Sequence, residues 1–373
     1  MSPNPNLKGL HDAGVSIWLD TLSRDLLQGG EFQELIDDYS VTGATSNPTI
    51  FAKALSGSDL YDDQLRAVAS SGVRETQELF FALALDDIRE AARLLRPTYD
   101  RAAGHDGLIS FECTPDLADD TDGTLAQAGD LWQRLDRPNV MIKVPGTKAG
   151  LPAIEQLTRR GLNINITLLF SIERYEEVID AYLRGLTARM QDGQPIDHIT
   201  SVASFFLSRI DTKVDAQLPE DSPLRGRVAV ASARVAYQRF LSKFSGPDWE
   251  DLRSKGAKLQ LPLWASTGTK NPAYSDTLYV AELVGPDVIN TMPEQTLKAF
   301  ADHGEVARTL DSDPDEAADT LEAAKDAGID LTAVTDELER EGVKSFCASY
   351  DELSERIESK LSTVAVGASS SDG

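Results

Sequence analysis

The chain has 373 residues, 41 % of them hydrophobic and 26 % charged, a globular composition with ample apolar material for a large core and unlike that of a disordered chain. Its 61 acidic and 36 basic side chains leave a formal charge of −25, which excludes nucleic acid and anionic membranes as partners because both require a basic surface. An anionic small molecule would need cations gathered locally.

In chain order, the opening MSPNPNLKGL lacks the charged-then-apolar pattern of a secretory signal, so residues 1–11 read as a loose terminus, as do the small, polar residues 362–373. Between them, residues 12–361 are expected to form one domain. Eight short segments read as strands: VSIWL, SVTGAT, GLIS, NVMIKV, LNINIT, HITSVA, LQLPLWA and DVINT, most of them bounded by Gly, Pro, Asn or Asp. The intervening stretches, such as ETQELFFALALDDIREAARLLR and SIERYEEVIDAYLRGLTARM, carry apolar residues at three- and four-residue spacing, which predicts helices. Alternating strands and helices imply parallel strands joined by right-handed crossovers, and closing eight of them gives an α/β fold, the (β/α)8 TIM barrel. The rival is a doubly wound open sheet, whose usual G-x-G-x-x-G after the first strand is missing. Extra helices are expected at about 48–106 and 205–258, together with a C-terminal helical extension. The acidic stretch from about 302 to 361 would pack outside the barrel as a solvated helical face.

No stretch approaches the ~18 consecutive apolar residues of a membrane span. Cys113 and Cys347 are too few and too far apart to suggest a disulfide framework. Both read as reduced thiols of a cytoplasmic protein. His11, His105, His198 and His303 are scattered without ligand spacing, so neither metal nor cofactor is expected. The oligomeric state is not legible, and a homo-oligomer stays open.

Catalytic groups of such a barrel stand at the C-terminal ends of its strands. Those positions are polar here: Asp20, Asn47, Glu112, Lys143, Asn165, Thr167, Ser204 with Arg209, and Ser266 with Lys270. Period two puts Val140, Ile142 and Val144 on the outer face and turns Met141 and Lys143 inward. One reading of Lys143 is a strand-end lysine reaching water. The other is a buried amine whose charged form is disfavoured and which attacks a carbonyl to form an imine. Asp20 and Glu112, each following apolar residues, are either salt-bridge or capping carboxylates or a pair dividing proton transfers beside Lys143. Trp18 shares the face of Asp20 and is large for a barrel interior, so this strand end is expected to be irregular. Asn47, Asn165 and Thr167 could hold a polyol, although Asn47 before Pro48 also suits a turn. Arg209 and Lys270, with Ser204, Ser266 and the backbone of STGTKNP, could surround a phosphate. Cys113 points away from Glu112 and reads as packing.

Taken together, ATSNPTIF, MIKVPGTKAG, NINITLLFS, SFFLSRID and the late GVKSF resemble the transaldolase family from about residue 12 to 360. The resemblance implies a class I aldolase-type barrel. It would move a dihydroxyacetone unit from sedoheptulose 7-phosphate or fructose 6-phosphate to glyceraldehyde 3-phosphate or erythrose 4-phosphate, in the non-oxidative pentose phosphate pathway. It further implies Lys143 as the imine lysine, Asp20 as the acid/base at the cleaved bond and Glu112 as the carboxylate activating water. Thr167 would orient that water, Asn47 and Asn165 would hold the dihydroxyacetone hydroxyls, and Ser204, Arg209 and Ser266 would contact substrate and phosphate. Two departures stand out. ASTGTKNP replaces the common Ala-Ser-Phe-Arg, placing Gly268 where arginine is usual and leaving Lys270 as its substitute; FECTPDLA changes the neighbours of Glu112. A fructose 6-phosphate aldolase of the same resemblance tends to have Gln at Glu112 and Tyr at Phe206, so both residues favour transfer over release. A sugar-phosphate sensor without chemistry would not need Lys143, Asp20 and Glu112 together.

Overall fold

A computed structural model describes residues 3–369, with side chains to Thr363. Eight parallel strands close in sequence order, each pairing with the next and the last with the first. They are β1 (Val15–Leu19), β2 (Val41–Thr45), β3 (Ile109–Glu112), β4 (Val140–Pro145), β5 (Ile164–Leu169), β6 (Ser201–Phe206), β7 (Gln260–Ala265) and β8 (Val288–Met292). Every strand expected from the sequence is present, and the open-sheet rival is excluded because β8 pairs directly with β1.

The helices follow the same order, α1 (Pro5–Asp12) preceding β1, with α2 (Arg24–Gln28) and α3 (Glu31–Asp38) before β2. Between β2 and β3 lie α4 (Pro48–Gly57), α5 (Asp62–Ser70) and α6 (Thr76–Arg101). One helix crosses over from each of the next three strands: α7 (Thr121–Leu135), α8 (Gly150–Arg160) and α9 (Ile172–Gln191). After β6 come α10 (Ser208–Asp215), α11 (Val228–Lys243) and α12 (Pro247–Ser254), and a short α13 (Leu278–Ala281) precedes β8. The chain ends in α14 (Glu294–His303), α15 (Pro314–Asp326) and α16 (Leu331–Ser369). Among the described residues no helix is long and apolar enough to cross a membrane.

Three expectations need correction. Residues 5–11 belong to helix α1. The Asn4 carboxamide oxygen accepts from the Asn6 and Leu7 N–H groups, Pro5 opens the helix, and Leu7 and Leu10 are fully buried. At the other end, α16 runs on through 362 to Ser369, while residues 1, 2 and 370–373 lie outside the described residues. The third concerns where α16 sits. Rather than packing outside the wall, it lies over the C-terminal ends of the strands, touching β5, α10 and the 3-10 turn after β3, and continues along α4, α5 and α6. Its acidic residues other than the partly buried Glu339 face solvent, but Val334, Leu338, Gly342, Leu353 and Ile357 are buried. Their spacing of three and four, or multiples of it, puts them on one helical stripe, so α16 is amphipathic and its apolar face is what the barrel mouth covers.

The irregularity expected near Asp20 has a local cause. The β1–β2 register shifts between Ile17 and Trp18, and the indole of Trp18 lies against Gly43 of β2. A Cβ at Gly43 would stand 2.4 Å from the indole nitrogen, so only glycine leaves room for this ring. The indole N–H donates to Asp106 before β3 at 3.0 Å, which satisfies its one polar group.

Candidate active site

Strand register builds the centre of the site. Glu112 of β3 pairs with Lys143 of β4, and Lys143 with Asn165 of β5, so three polar side chains stand side by side. Lys143 is 6 % exposed, between Ile142 and Val144, which are fully buried. This excludes a strand-end lysine reaching into open water. Its Nζ lies 3.6 Å from Glu112 Oε1. Burial holds the Glu112 carboxyl above the ordinary carboxylate range, and the Lys143 ammonium opposes that shift.

Asn165 is fixed at both ends of its amide. Its Nδ2 donates to Ser110 Oγ at 2.9 Å, and its Oδ1 accepts from Ser204 Oγ at 2.7 Å. Since β4 separates β3 from β5, the Ser110 bond passes over the face of β4. Ser110 escaped the sequence reading although period two places it on the face of Glu112. Two buried oxygens on the strands of this row, Glu112 Oε2 and Thr167 Oγ1, have no hydrogen-bond partner among the described residues. Each is therefore left able to bond a water or a polar group of a ligand, the carboxylate oxygen as an acceptor and the hydroxyl as donor or acceptor.

Asp20 follows β1 and is half-buried, its N–H donating to the Met292 carbonyl at 3.1 Å. Burial pushes its carboxyl above the ordinary range, opposed by the hydrogen bond from Thr21 and then by the positive charges of Lys270 and Lys143. The charges of Lys143 and Lys270, from two other segments, both reach Asp20. Asn47 Oδ1 accepts from the Ile50 N–H at 3.0 Å and caps α4. The Asn47 oxygen thus has a local capping role, while among the described residues its NH2 makes no hydrogen bond. Asn47, Glu112 and Tyr350 of α16 line one small cavity.

Further round the mouth, Phe206 is buried against Phe170, ring centroids 5.3 Å apart. The Arg209 guanidinium lies 5.5 Å from the Phe206 ring centroid; its burial lowers its pKa, opposed by Glu341. Glu341 is itself bonded to Lys213 at 2.6 Å. Among the described residues Arg209 and Lys270 make no ion pair, unlike the paired Arg24, Arg134 or Lys243. An unpaired, half-buried guanidinium in a chain of charge −25 is a ready anion site. Ser266 adopts φ +55°, a left-handed conformation that costs a non-glycine residue free energy, and its Oγ meets Ser208 Oγ at 2.9 Å. Ser208 opens α10 next to Arg209 and was also missed. Lys270 is exposed and borders a groove with Ser208, Asp211 and Tyr274.

Cys113 is buried and its thiol is pushed up by burial and by Glu112, which removes it as a nucleophile at neutral pH. Neither cysteine is in a disulfide. Among the described residues no group of three or more His, Cys, Asp or Glu side chains is gathered as a metal site would need.

The sequence has close counterparts among known proteins. The family model described as transaldolase/fructose-6-phosphate aldolase matches residues 17–357. A transaldolase of Saccharopolyspora erythraea is 48 % identical over 365 residues, covering 97 % of this chain and 99 % of its own. Transaldolases of Parafrankia sp. and Mycobacterium tuberculosis are 46 % and 47 % identical, covering 96 % and 97 % of this chain and 99 % of their own.

Proposed function

The chain belongs to the transaldolase and fructose-6-phosphate aldolase family, and we propose that Lys143 is the amine on which it carries a three-carbon unit between sugar phosphates. Its activity is that of a transaldolase, a transferase. The donor is a ketose phosphate such as sedoheptulose 7-phosphate or fructose 6-phosphate, and the acceptor an aldose phosphate such as glyceraldehyde 3-phosphate or erythrose 4-phosphate. That exchange belongs to the non-oxidative pentose phosphate pathway and to the cytoplasm. The observation that carries the assignment of Lys143 is its burial in the row Glu112, Lys143, Asn165, with a carboxylate at 3.6 Å.

Lys143 attacks the ketose C2 carbonyl. Glu112, through a water bridged to Thr167, supplies and removes protons as the carbinolamine loses water to become an imine. The partnerless Glu112 Oε2 and Thr167 Oγ1 support this division of roles. Asp20 takes the proton of the C4 hydroxyl, the C3–C4 bond breaks, and the shortened aldose leaves. The carbanion is delocalised into the protonated imine, with its hydroxyls held by the Asn47 NH2 and by Asn165, whose amide Ser110 and Ser204 keep in one orientation. The acceptor aldehyde then adds by the same steps in reverse. None of them calls on a cofactor.

Transfer and simple release differ in what happens without an acceptor. With fructose 6-phosphate alone, free dihydroxyacetone is expected to form at least ~10-fold more slowly than sedoheptulose or fructose phosphate exchange proceeds with an aldose phosphate present. Dihydroxyacetone released at the full rate without acceptor would assign the chain to the lyase branch.

Ser204 serves the substrate through Asn165, and the phosphate contacts fall to Arg209, Ser208 and Ser266, with Lys270 as an outer cation. Charge-assisted hydrogen bonds to a half-buried guanidinium contribute about 1.5–3 kcal/mol, so Arg209→Ala is expected to raise KM for phosphorylated donors roughly 10- to 100-fold. Exposed Lys270 should matter less, about 2- to 5-fold on Lys270→Ala. Steady-state kinetics with fructose 6-phosphate and fructose separates the two residues. Equal effects on both sugars would remove the residue in question from the phosphate site.

A further inference from the structure

The mouth of the barrel is not open above Lys143. The ring centroid of Phe346, in α16, lies 5.9 Å from Lys143 Nζ. Phe346 occupies the same stripe as buried Leu338, Gly342 and Leu353, yet it is itself only partly buried, because the surface beneath it is the catalytic centre rather than packed core. We propose that Phe346 is a positioning residue that covers the Lys143 imine and keeps bulk water from the carbanion, and so decides whether the three-carbon unit is transferred or released. The proposal rests on Lys143 being the imine lysine.

Two local features set the height of this ring. Directly after Thr167, Leu168 takes φ +63°, and the β5–β6 register shifts between Ile166 and Leu169. A left-handed leucine is costly, and what it gains is a side chain turned up to meet α16. There it meets Gly342, where a Cβ would stand 2.9 Å from Leu168 Cδ2, so the helix approaches closely. Four residues on, one turn along the same face, comes Phe346; four more bring Tyr350, edge-on to Phe80 with centroids 5.9 Å apart. The helix is tied on either side of Phe346 by Lys213 to Glu337 and Glu341, by Thr49 to Ser349 at 2.7 Å, and by Lys360 to Asp62 at 2.7 Å. A ring held by so many anchors is a fixed cover, not a swinging one.

The chemistry at stake is balanced by one water. Protonation of the enamine carbon, followed by attack of water on the imine carbon, frees dihydroxyacetone and the Lys143 amine and returns the proton. A phenyl ring over this face displaces the bulk water that would protonate the enamine carbon, the step that release alone requires. The Glu112–Thr167 water that hydrates the imine after either outcome stays, and the incoming aldehyde reaches the carbon from the Asp20 side.

The test is the ratio of dihydroxyacetone released to unit transferred, measured by nuclear magnetic resonance with fructose 6-phosphate and erythrose 4-phosphate. Phe346→Ala is expected to raise that ratio on the order of tenfold, Phe346→Leu to raise it less, and Phe346→Tyr to restore it. Ratios unchanged across the three would overturn the proposal, because a merely structural residue would slow both outcomes together. Should the alanine variant fold poorly, the leucine and tyrosine variants still rank the effect by cover. Borohydride with fructose 6-phosphate, applied to the same proteins, keeps the two claims apart. Labelled Lys143 with an unchanged ratio defeats the role of Phe346 alone, whereas an unlabelled Lys143 in the unsubstituted protein defeats the imine itself.

Discussion

Lys143→Met is expected to lower kcat by at least ~10⁴-fold while the protein remains folded. Methionine nearly matches the lysine stem in length and fills the same interior space, so Val144, Ile142 and the strand pairing to Glu112 and Asn165 need not move. The substitution removes the positive charge opposing the upward shift of Glu112. Glu112 can then stay protonated at little cost, since burial already holds its carboxyl above the ordinary range, and no unpaired charge is left in the interior. Circular dichroism and the thermal midpoint should therefore change little. What disappears is the covalent route: no other buried amine stands in the row, and positioned carboxylates cannot stabilise a three-carbon carbanion without an imine to delocalise it. Residual transfer above about a hundredth of the original rate would mean that Lys143 is not the nucleophile.

The second large effect is at Asp20. Asp20→Asn keeps the size and one hydrogen-bond acceptor for Thr21 but removes the base, and a loss of about 10²- to 10⁴-fold in kcat is expected, the range of a single general acid/base. With Asp20 in its proposed role at C4 rather than C2, the imine should still form on Lys143. The donor reaction needs Asp20 ionised, and burial keeps the proton on it to a higher pH than on an exposed aspartate. As pH falls through that raised value, the base is lost and the rate falls with it. The acid limb of kcat/KM is accordingly expected above the usual aspartate value of about 4, and it should be absent in the slow Asp20→Asn enzyme. An acid limb unchanged by the substitution would assign it to another group, Glu112 first among them.

Much of this molecule was legible in the amino-acid sequence, for identifiable reasons. Strands such as NVMIKV and LNINIT are short, apolar and bounded by turn residues, and parallel strands buried on both faces must look so. Polar residues at strand ends then fall at the barrel mouth whatever the loops do, which is why Asp20, Glu112, Lys143, Asn165 and Ser204 could be selected one by one. The partners that complete them are less local. Ser110 was open to the same period-two reading as Glu112 and was passed over because a serine inside GLIS carries no charge to draw notice. The fit of Trp18 against Gly43 joins residues of different strands and leaves no mark in either segment alone. Helix α16 shows the same limit on a larger scale. Its stripe of Val334, Leu338, Gly342, Leu353 and Ile357 predicts an amphipathic helix, but periodicity states only that one face is covered, never by what. Its acidic face points to solvent, and the apolar face lies across the strand ends beside Lys143. At the N-terminus, Asn4, Pro5, Leu7 and Leu10 formed a capping signal that the small, polar context of PNPN obscured.

The most direct test is to incubate the protein with fructose 6-phosphate, reduce with borohydride, digest, and locate the added three-carbon mass. The reduced adduct is expected on the peptide carrying Lys143 alone, dependent on both sugar and reductant, and absent from Lys143→Met. An adduct on Lys148, Lys270 or any other lysine, or none while transfer proceeds, would contradict the assignment of Lys143.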